Sequence, residues 1–118
     1  MKRGDLVIVS LPGDYGKPRP AVVIQNDRLD ERLESYVIAL LTTFDEGAKL
    51  LRVAVEPSPE NGLKEASRVM VDKLYAIPAH RIHKQIGKLD AVSMRGIDRA
   101  LMIMLDLDPL RPTFGSGE

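Results

Sequence analysis

Short runs of β-forming residues, joined by connections too brief to hold a helix, constrain this chain more than any other feature. Asp5 to Ser10 carries Leu6, Val7, Ile8 and Val9, Ala21 to Ile24 reads Ala-Val-Val-Ile, and Tyr36 to Thr42 is rich in Val, Ile, Ala and Leu. Two more runs follow, from Leu50 to Val55 and from Arg68 to Leu74. Parallel strands need crossovers of about a dozen residues or more, so strands packed this densely must pair antiparallel. The connections carry turn chemistry: Leu11-Pro12-Gly13-Asp14-Tyr15-Gly16-Lys17-Pro18 after the first run, and Pro57, Pro59, Asn61 and Gly62 after the fourth. The expected fold is mainly β, with hairpins forming a curled sheet or small barrel.

The period changes after Asp90. Met94, Ile97, Leu101, Met104 and Leu105 recur at helical spacing, Asp90 is a suitable N-cap, and a helix is predicted from Ala91 to Leu105, weakened locally by Gly96. Leu101-Met102-Ile103-Met104-Leu105 is apolar on every side. Either a second copy of the chain covers the outer face, or the helix end tucks under its own tail. Pro112, Gly115 and Gly117 mark a frayed end, so the expected organisation is one domain over 1–107 and a flexible tail over 108–118.

Composition narrows the chemistry. A chain of 118 residues suffices for one core, and without Cys it can hold no disulfide, thiolate nucleophile or thiolate-bound metal. No long apolar segment follows Met1-Lys2-Arg3 and none later reaches membrane-spanning length, so a cytoplasmic location without membrane association is expected. The net charge is zero, yet from Ser67 to Lys88 the bases Arg68, Lys73, Arg81, Lys84 and Lys88 face one acid, Asp72. Such a segment is either a solvated face or a surface for phosphates.

Arg19 stands between Pro18 and Pro20 where the first loop enters the second run. Proline on both sides restricts the backbone and aims the guanidinium, whose fork can grip two phosphate oxygens. The plainer reading is an ion pair with Asp14 or Asp5. Thr42 and Thr43 close the third run, where a hydroxyl can donate to phosphate or simply reflect β-propensity. Asp72 sits in an apolar run, and alternation sets Met70, Asp72 and Leu74 on one face against Val69, Val71 and Lys73. It either faces outward or has a neighbouring Arg as partner. His80 and His83 are three apart but lack a third ligand nearby, so no metal site is expected.

In order and spacing these blocks resemble the MazF/PemK toxins. The likeness runs through Arg3-Gly4-Asp5-Leu6-Val7, the Gly-rich loop into Arg19-Pro20-Ala21-Val22-Val23-Ile24-Gln25-Asn26-Asp27, the strand-terminal Thr42, the block from Ser67 to Ile77, and Ile86-Gly87-Lys88-Leu89-Asp90 before the helix. The resemblance implies an SH3-like antiparallel barrel with a C-terminal helix, assembled as a homodimer. It implies a bacterial type II toxin, a metal-independent endoribonuclease that needs no cofactor. Such an enzyme cuts single-stranded RNA at short sequences to 2′,3′-cyclic phosphate and 5′-OH ends, stops translation, and is neutralised by a MazE-like antitoxin. Carried over by position, Arg19 and Thr42 are the catalytic candidates, and Asp72 is a third. The PemK branch's Arg two residues before that Asp is Met70 here, and its first-loop His is missing, so Asp72 is either an acid–base group or structural. Tyr15, Lys17, Thr43, Phe44, Lys73, Arg81 and Lys84 are the expected RNA-binding residues, with the two aromatics stacking on bases. The alternatives are a CcdB-like gyrase poison and a catalytically silent binding module of the same fold.

Overall fold

The computed structural model describes residues 1–29, 34–44, 49–108 and 110. Six strands form, β1 (Asp5–Ser10), β2 (Pro18–Val23), β3 (Ser35–Thr42), β4 (Arg52–Val55), β5 (Ser67–Pro78) and β6 (Ile82–Lys88), followed by the helix α1 (Ala91–Met104). They make one sheet in the order β4-β5-β3-β2-β1-β6, and every pairing is antiparallel. Among the described residues the outermost strands β4 and β6 do not pair with each other, so the sheet is not closed, in keeping with the curled, barrel-like fold expected from the sequence. The predicted helix is present one residue shorter. Five strands were legible as apolar runs, whereas β6 carries Ile82-His83-Lys84-Gln85-Ile86-Gly87-Lys88 and gave no such signal.

Alternation supplies a core on each face of the sheet. Leu6, Val22, Ala39, Val69 and Val71 point one way, where Ile97 and Ala100 of α1 cover them. Val7, Val9, Ala21, Val23, Ile38 and Leu40 point the other way and are just as buried, although no helix lies there. Leu11 of the first loop, Ile77 of β5 and Ile82 of β6 pack into that second cluster. Bulges produce the curl: β6 has one extra residue at each of two register shifts against β1, and while β3 advances from Ala39 to Leu41, β5 runs from Leu74 to Val69. The β5 irregularity also breaks the expected alternation. Leu74 packs with the cluster of Val69 and Val71, and Met70 packs with the opposite cluster, so Met70 and Leu74 do not share a face.

Two prolines inside β2 need an explanation, because proline cannot donate to a ladder. Pro18 and Pro20 pair with Ser10 and Ile8, two residues apart, and so turn their missing donors to the same side. On that side β3 joins β2 only from Ala21 onward. No ladder bond is lost.

Asp90 caps α1 as expected, accepting from the Ser93 backbone N–H at 2.7 Å, and that bond holds its carboxyl below the usual range. Gly96 lies mid-helix facing Val53, and an added Cβ would meet Val53 Cγ1 at 3.4 Å, an ordinary contact. Gly96→Ala is therefore expected to stabilise the protein by about 0.5–1 kcal/mol through helix propensity, read as a higher urea midpoint. A fall would mean that the added methyl is not accommodated against Val53. Past the helix, Pro109 and 111–118 lie outside the described residues, so most of the expected tail cannot be described.

Candidate functional site

Arg19 is positioned by its backbone first. Pairing with Val9 sends its side chain to the second face, with Ala21. The guanidinium then meets Asp14 of the first loop: Nε donates to Oδ2 at 2.5 Å and Nη2 to Oδ1 at 3.3 Å. This is the Asp14 pairing weighed from the sequence, while Asp5 instead accepts from the Lys2 backbone at 2.8 Å. The loop reaches round by tight turns, with positive φ at Gly13, Tyr15 and Gly16, and Lys17 N–H bonds back to the Asp14 carbonyl at 3.0 Å. Hydrogen bonding from Arg19 holds the Asp14 carboxyl below the usual range. The same bond raises the Arg19 pKa further, with a smaller electrostatic contribution from Tyr75. Arg19 is thus a fixed cation. It lines a cleft of about 230 Å³ together with Asp14, Leu40, Tyr75 and the loop from Leu11.

Thr42 belongs to the same face. The β2–β3 ladder ends at Ala21 opposite Leu40, and the same register carried two residues further sets Arg19 opposite Thr42. On its other side Thr42 pairs with Arg68 of β5. Its Oγ1 accepts from the Phe44 backbone N–H at 3.1 Å, a turn that leaves Phe44 exposed. Thr43 lines a second cleft of about 220 Å³ with Glu56, Ser67 and Arg68. Residues 45–48, the rest of the loop expected to read bases, lie outside the described residues. Tyr15 is fully exposed at the tip of the first loop, two residues before the exposed Lys17.

Asp72 has found an arginine. Arg52 of β4 grips it at both oxygens, Nε to Oδ1 at 2.8 Å and Nη2 to Oδ2 at 3.1 Å, and that bond pulls its pKa down. The two side chains are 10% and 21% exposed, so the pair is largely withdrawn from water. The remaining expected RNA contacts are dispersed. Lys73 is exposed on β5, and Arg81 is half-buried in the turn before β6. Lys84 pairs with Ile8, whose side chain alternates away from Val9 and hence from the face of Arg19. Among the described residues no three His, Asp or Glu side chains converge as a metal site would require.

Sequence reasoning missed Tyr75 and Glu56 here, and it named Asp14 and Arg68 only in plainer roles. Asp14 was weighed only as an ordinary surface partner for Arg19. Tyr75 was hidden by the β5 bulge, and it reaches the second face by pairing with Ile38. Glu56 and Arg68 line one cleft only because β4 pairs with β5, which no local pattern announces.

Comparison with known proteins agrees with this fold. The family model for PemK-like, MazF-like toxins of type II toxin–antitoxin systems matches residues 2–105. A probable endoribonuclease MazF of Mycolicibacterium smegmatis is 39% identical over 108 residues, covering 91% of this chain and 98% of the relative. Endoribonuclease EndoA of Bacillus subtilis is 29% identical over 111 residues, covering 91% and 96%. Among solved structures, the Mycobacterium tuberculosis toxin MazF-mt6 superposes with a TM-score of 0.75 at 28% identity, covering 88% of this chain and 98% of that one. A mycobacterial endoribonuclease solved in complex with its cognate antitoxin superposes with a TM-score of 0.77 at 21% identity, covering 92% and 97%, which speaks for the fold.

Proposed function

The chain belongs to the PemK-like, MazF-like toxins of type II toxin–antitoxin systems, and from that premise we infer that it is an endoribonuclease cutting single-stranded RNA at the cleft around Arg19. The observation that carries this reading is the Arg19–Asp14 pair. A guanidinium held along one edge, in a cleft open to solvent, keeps its remaining N–H groups for a phosphodiester.

Cleavage without a metal proceeds by attack of the ribose 2′-oxygen on the adjacent phosphorus. A 2′,3′-cyclic phosphate forms and the 5′-oxygen leaves with a proton. Arg19 binds the non-bridging oxygens and neutralises charge as the phosphorane develops, and Thr42 donates to the same group. Arg19 does not take the proton, because its partner holds it charged. Asp14 is the carboxylate in contact with Arg19, which supports it as the positioning group and the acceptor for the 2′-OH proton. Tyr75 lines the same cleft and serves as donor to the leaving oxygen. Incubation of the protein with a long unstructured RNA in excess EDTA tests the reading. Discrete cuts ending in cyclic phosphate and 5′-OH are expected, and intact RNA would overturn it.

Asp72 is structural in this scheme. Asp72→Asn leaves the largely buried Arg52 with a weakened partner, so the expected result is a loss of about 2 kcal/mol in urea titration with cleavage by the folded protein within a few-fold. The depressed pKa gives the sign with pH: the pair's stabilisation is complete above the usual aspartate value of about 3.9 and is lost as pH falls through the lowered one. A cleavage rate lowered by orders of magnitude with stability intact would return Asp72 to the catalytic set.

The site works in a cytoplasmic homodimer neutralised by a cognate MazE-like antitoxin. An antitoxin complex among the structures sharing the fold supports that partner. Ile103, Leu105 and Leu107 at the end of α1 are each at least half exposed, which supports a second copy as their cover. Sedimentation equilibrium giving a monomer at micromolar concentration would remove the dimer. Tyr15 and Lys17 on the loop that carries Asp14, and Thr43 and Phe44 just after Thr42, are the RNA contacts in this reading. Lys73, Arg81 and Lys84 contribute long-range attraction of the polyanion.

A further inference from the structure

The second cleft, at the end of the sheet, is not used by the chemistry above. It occupies about 220 Å³ between Thr43, Ala54, Glu56, Ala66, Ser67 and Arg68. Two alanines give it small side walls, and Glu56 and Arg68 line it beside them. The backbone around Glu56 is fixed: the Asn61 side chain donates to the Glu56 carbonyl at 2.8 Å, and Val55 and Ser67 pair beside it. Arg68 pairs with Thr42 on one side and Ala54 on the other. Arg68 is the direct cross-strand partner of Thr42, with Cα atoms about 5 Å apart, so the cleft begins one strand from the hydroxyl assigned to the phosphate. A nucleotide next to the cleaved linkage can span that gap.

We propose that this cleft binds a guanine base flanking the scissile phosphodiester and so helps to set the sequence that is cut. The proposal rests on the ribonuclease reading above. Guanine offers acceptors, O6 and N7, on one edge and donors, N1–H and the exocyclic amine, on the adjoining one. Arg68 serves the first edge and Glu56 the second. Adenine presents an amine where Arg68 requires an acceptor, and an unprotonated ring nitrogen where Glu56 requires a donor. Splayed single-stranded bases are read in this way by hydrogen bonds on their edges with an aromatic stacked above, and Phe44 is 73% exposed immediately beside Thr43.

The test is cleavage of a randomised single-stranded RNA pool by wild type, Glu56→Gln and Ala54→Leu, sequencing the products and recording thermal melts of all three proteins. Wild type should require guanine at one fixed position near the cut. Glu56→Gln should relax that requirement by about 10-fold or more, since one well-made pair of base contacts discriminates on that scale. Ala54→Leu, on an exposed strand position that fills the cleft, should lose the guanine preference without a lower melting temperature. Cutting by wild type with no fixed guanine would overturn the proposal and leave the ribonuclease standing, as would unchanged preferences in both variants. Absence of cutting by wild type would overturn the ribonuclease reading, and this pocket with it.

Discussion

Arg19→Ala should lower RNA cleavage by about 10³-fold or more while the urea midpoint stays close to wild type. The size follows from what the side chain does. A positioned donor to a developing oxyanion is worth roughly 10²–10³ in rate, and Arg19 supplies both the charge and the fork that orients the phosphate. The fold should tolerate the change, because the Arg19 side chain is 36% exposed and its partner Asp14 also reaches water, so removing one leaves no buried unpaired charge. Arg19→Lys separates the two contributions. A lysine keeps the charge but lacks the planar fork that Asp14 grips, so it should recover only part of the loss. Near-normal turnover in Arg19→Ala would remove the catalytic assignment, whereas a folded protein that is inactive as both Ala and Lys would locate the requirement in bidentate geometry.

The pairing with Asp14 also bears on how such a cation waits for its substrate. A free guanidinium on a flexible stem samples many rotamers, and ordering it at the moment of binding costs about 2 kcal/mol. Here the carboxylate meets that cost beforehand, on a loop whose positive-φ residues at Gly13, Tyr15 and Gly16 fix the approach. Prolines on either side of Arg19 restrict the backbone in the same sense. The sequence showed those prolines and the Gly-rich loop, so the aim of Arg19 was legible while its partner was left between two candidates.

Legibility elsewhere follows the same division between local and non-local physics. Strands with runs such as Ala21-Val22-Val23-Ile24 announce themselves because both faces of the sheet are buried. β6 is an edge strand with largely polar residues and two register shifts, so it carries neither an apolar run nor a clean alternation. Within β5 the strand was evident but its faces were not, because the bulge between Val69 and Leu74 shifts every later side chain, Tyr75 included. Arg52 as the partner of Asp72 depends on β4 lying against β5, and the Glu56–Arg68 cleft depends on the same pairing. Such sites are built by long-range register, and one sequence records that only indirectly.

Gly87→Ala should destabilise the protein by more than about 3 kcal/mol. Gly87 faces the loop between β4 and β5, and a Cβ built there falls within 3.0 Å of the Asn61 carbonyl and the Glu60 oxygen, both of them backbone atoms. That loop cannot step aside. Asn61 is 5% exposed, and its side chain accepts from the Ser58 and Leu63 backbones and donates to the Glu56 carbonyl, while Lys88 N–H bonds the Glu60 carbonyl at 3.0 Å. Gly62, in the same loop at φ 70, is pressed closer still against the Ile86 backbone oxygen. Overpacking that side-chain motion could relieve costs about 1–3 kcal/mol, and here backbone on both sides must move or the hydrogen bonds of Asn61 must break. Against a total stability of about 5–15 kcal/mol, a loss of this size is easily read as a lower urea midpoint with unchanged slope. Gly96→Ala makes the same chemical change with the opposite expected sign, so general intolerance of added methyls cannot mimic the result. A Gly87→Ala midpoint within about 0.5 kcal/mol of wild type would mean that the loop slides along β6. Glu56 would then no longer be rigidly presented, and the guanine pocket would lose its anchor.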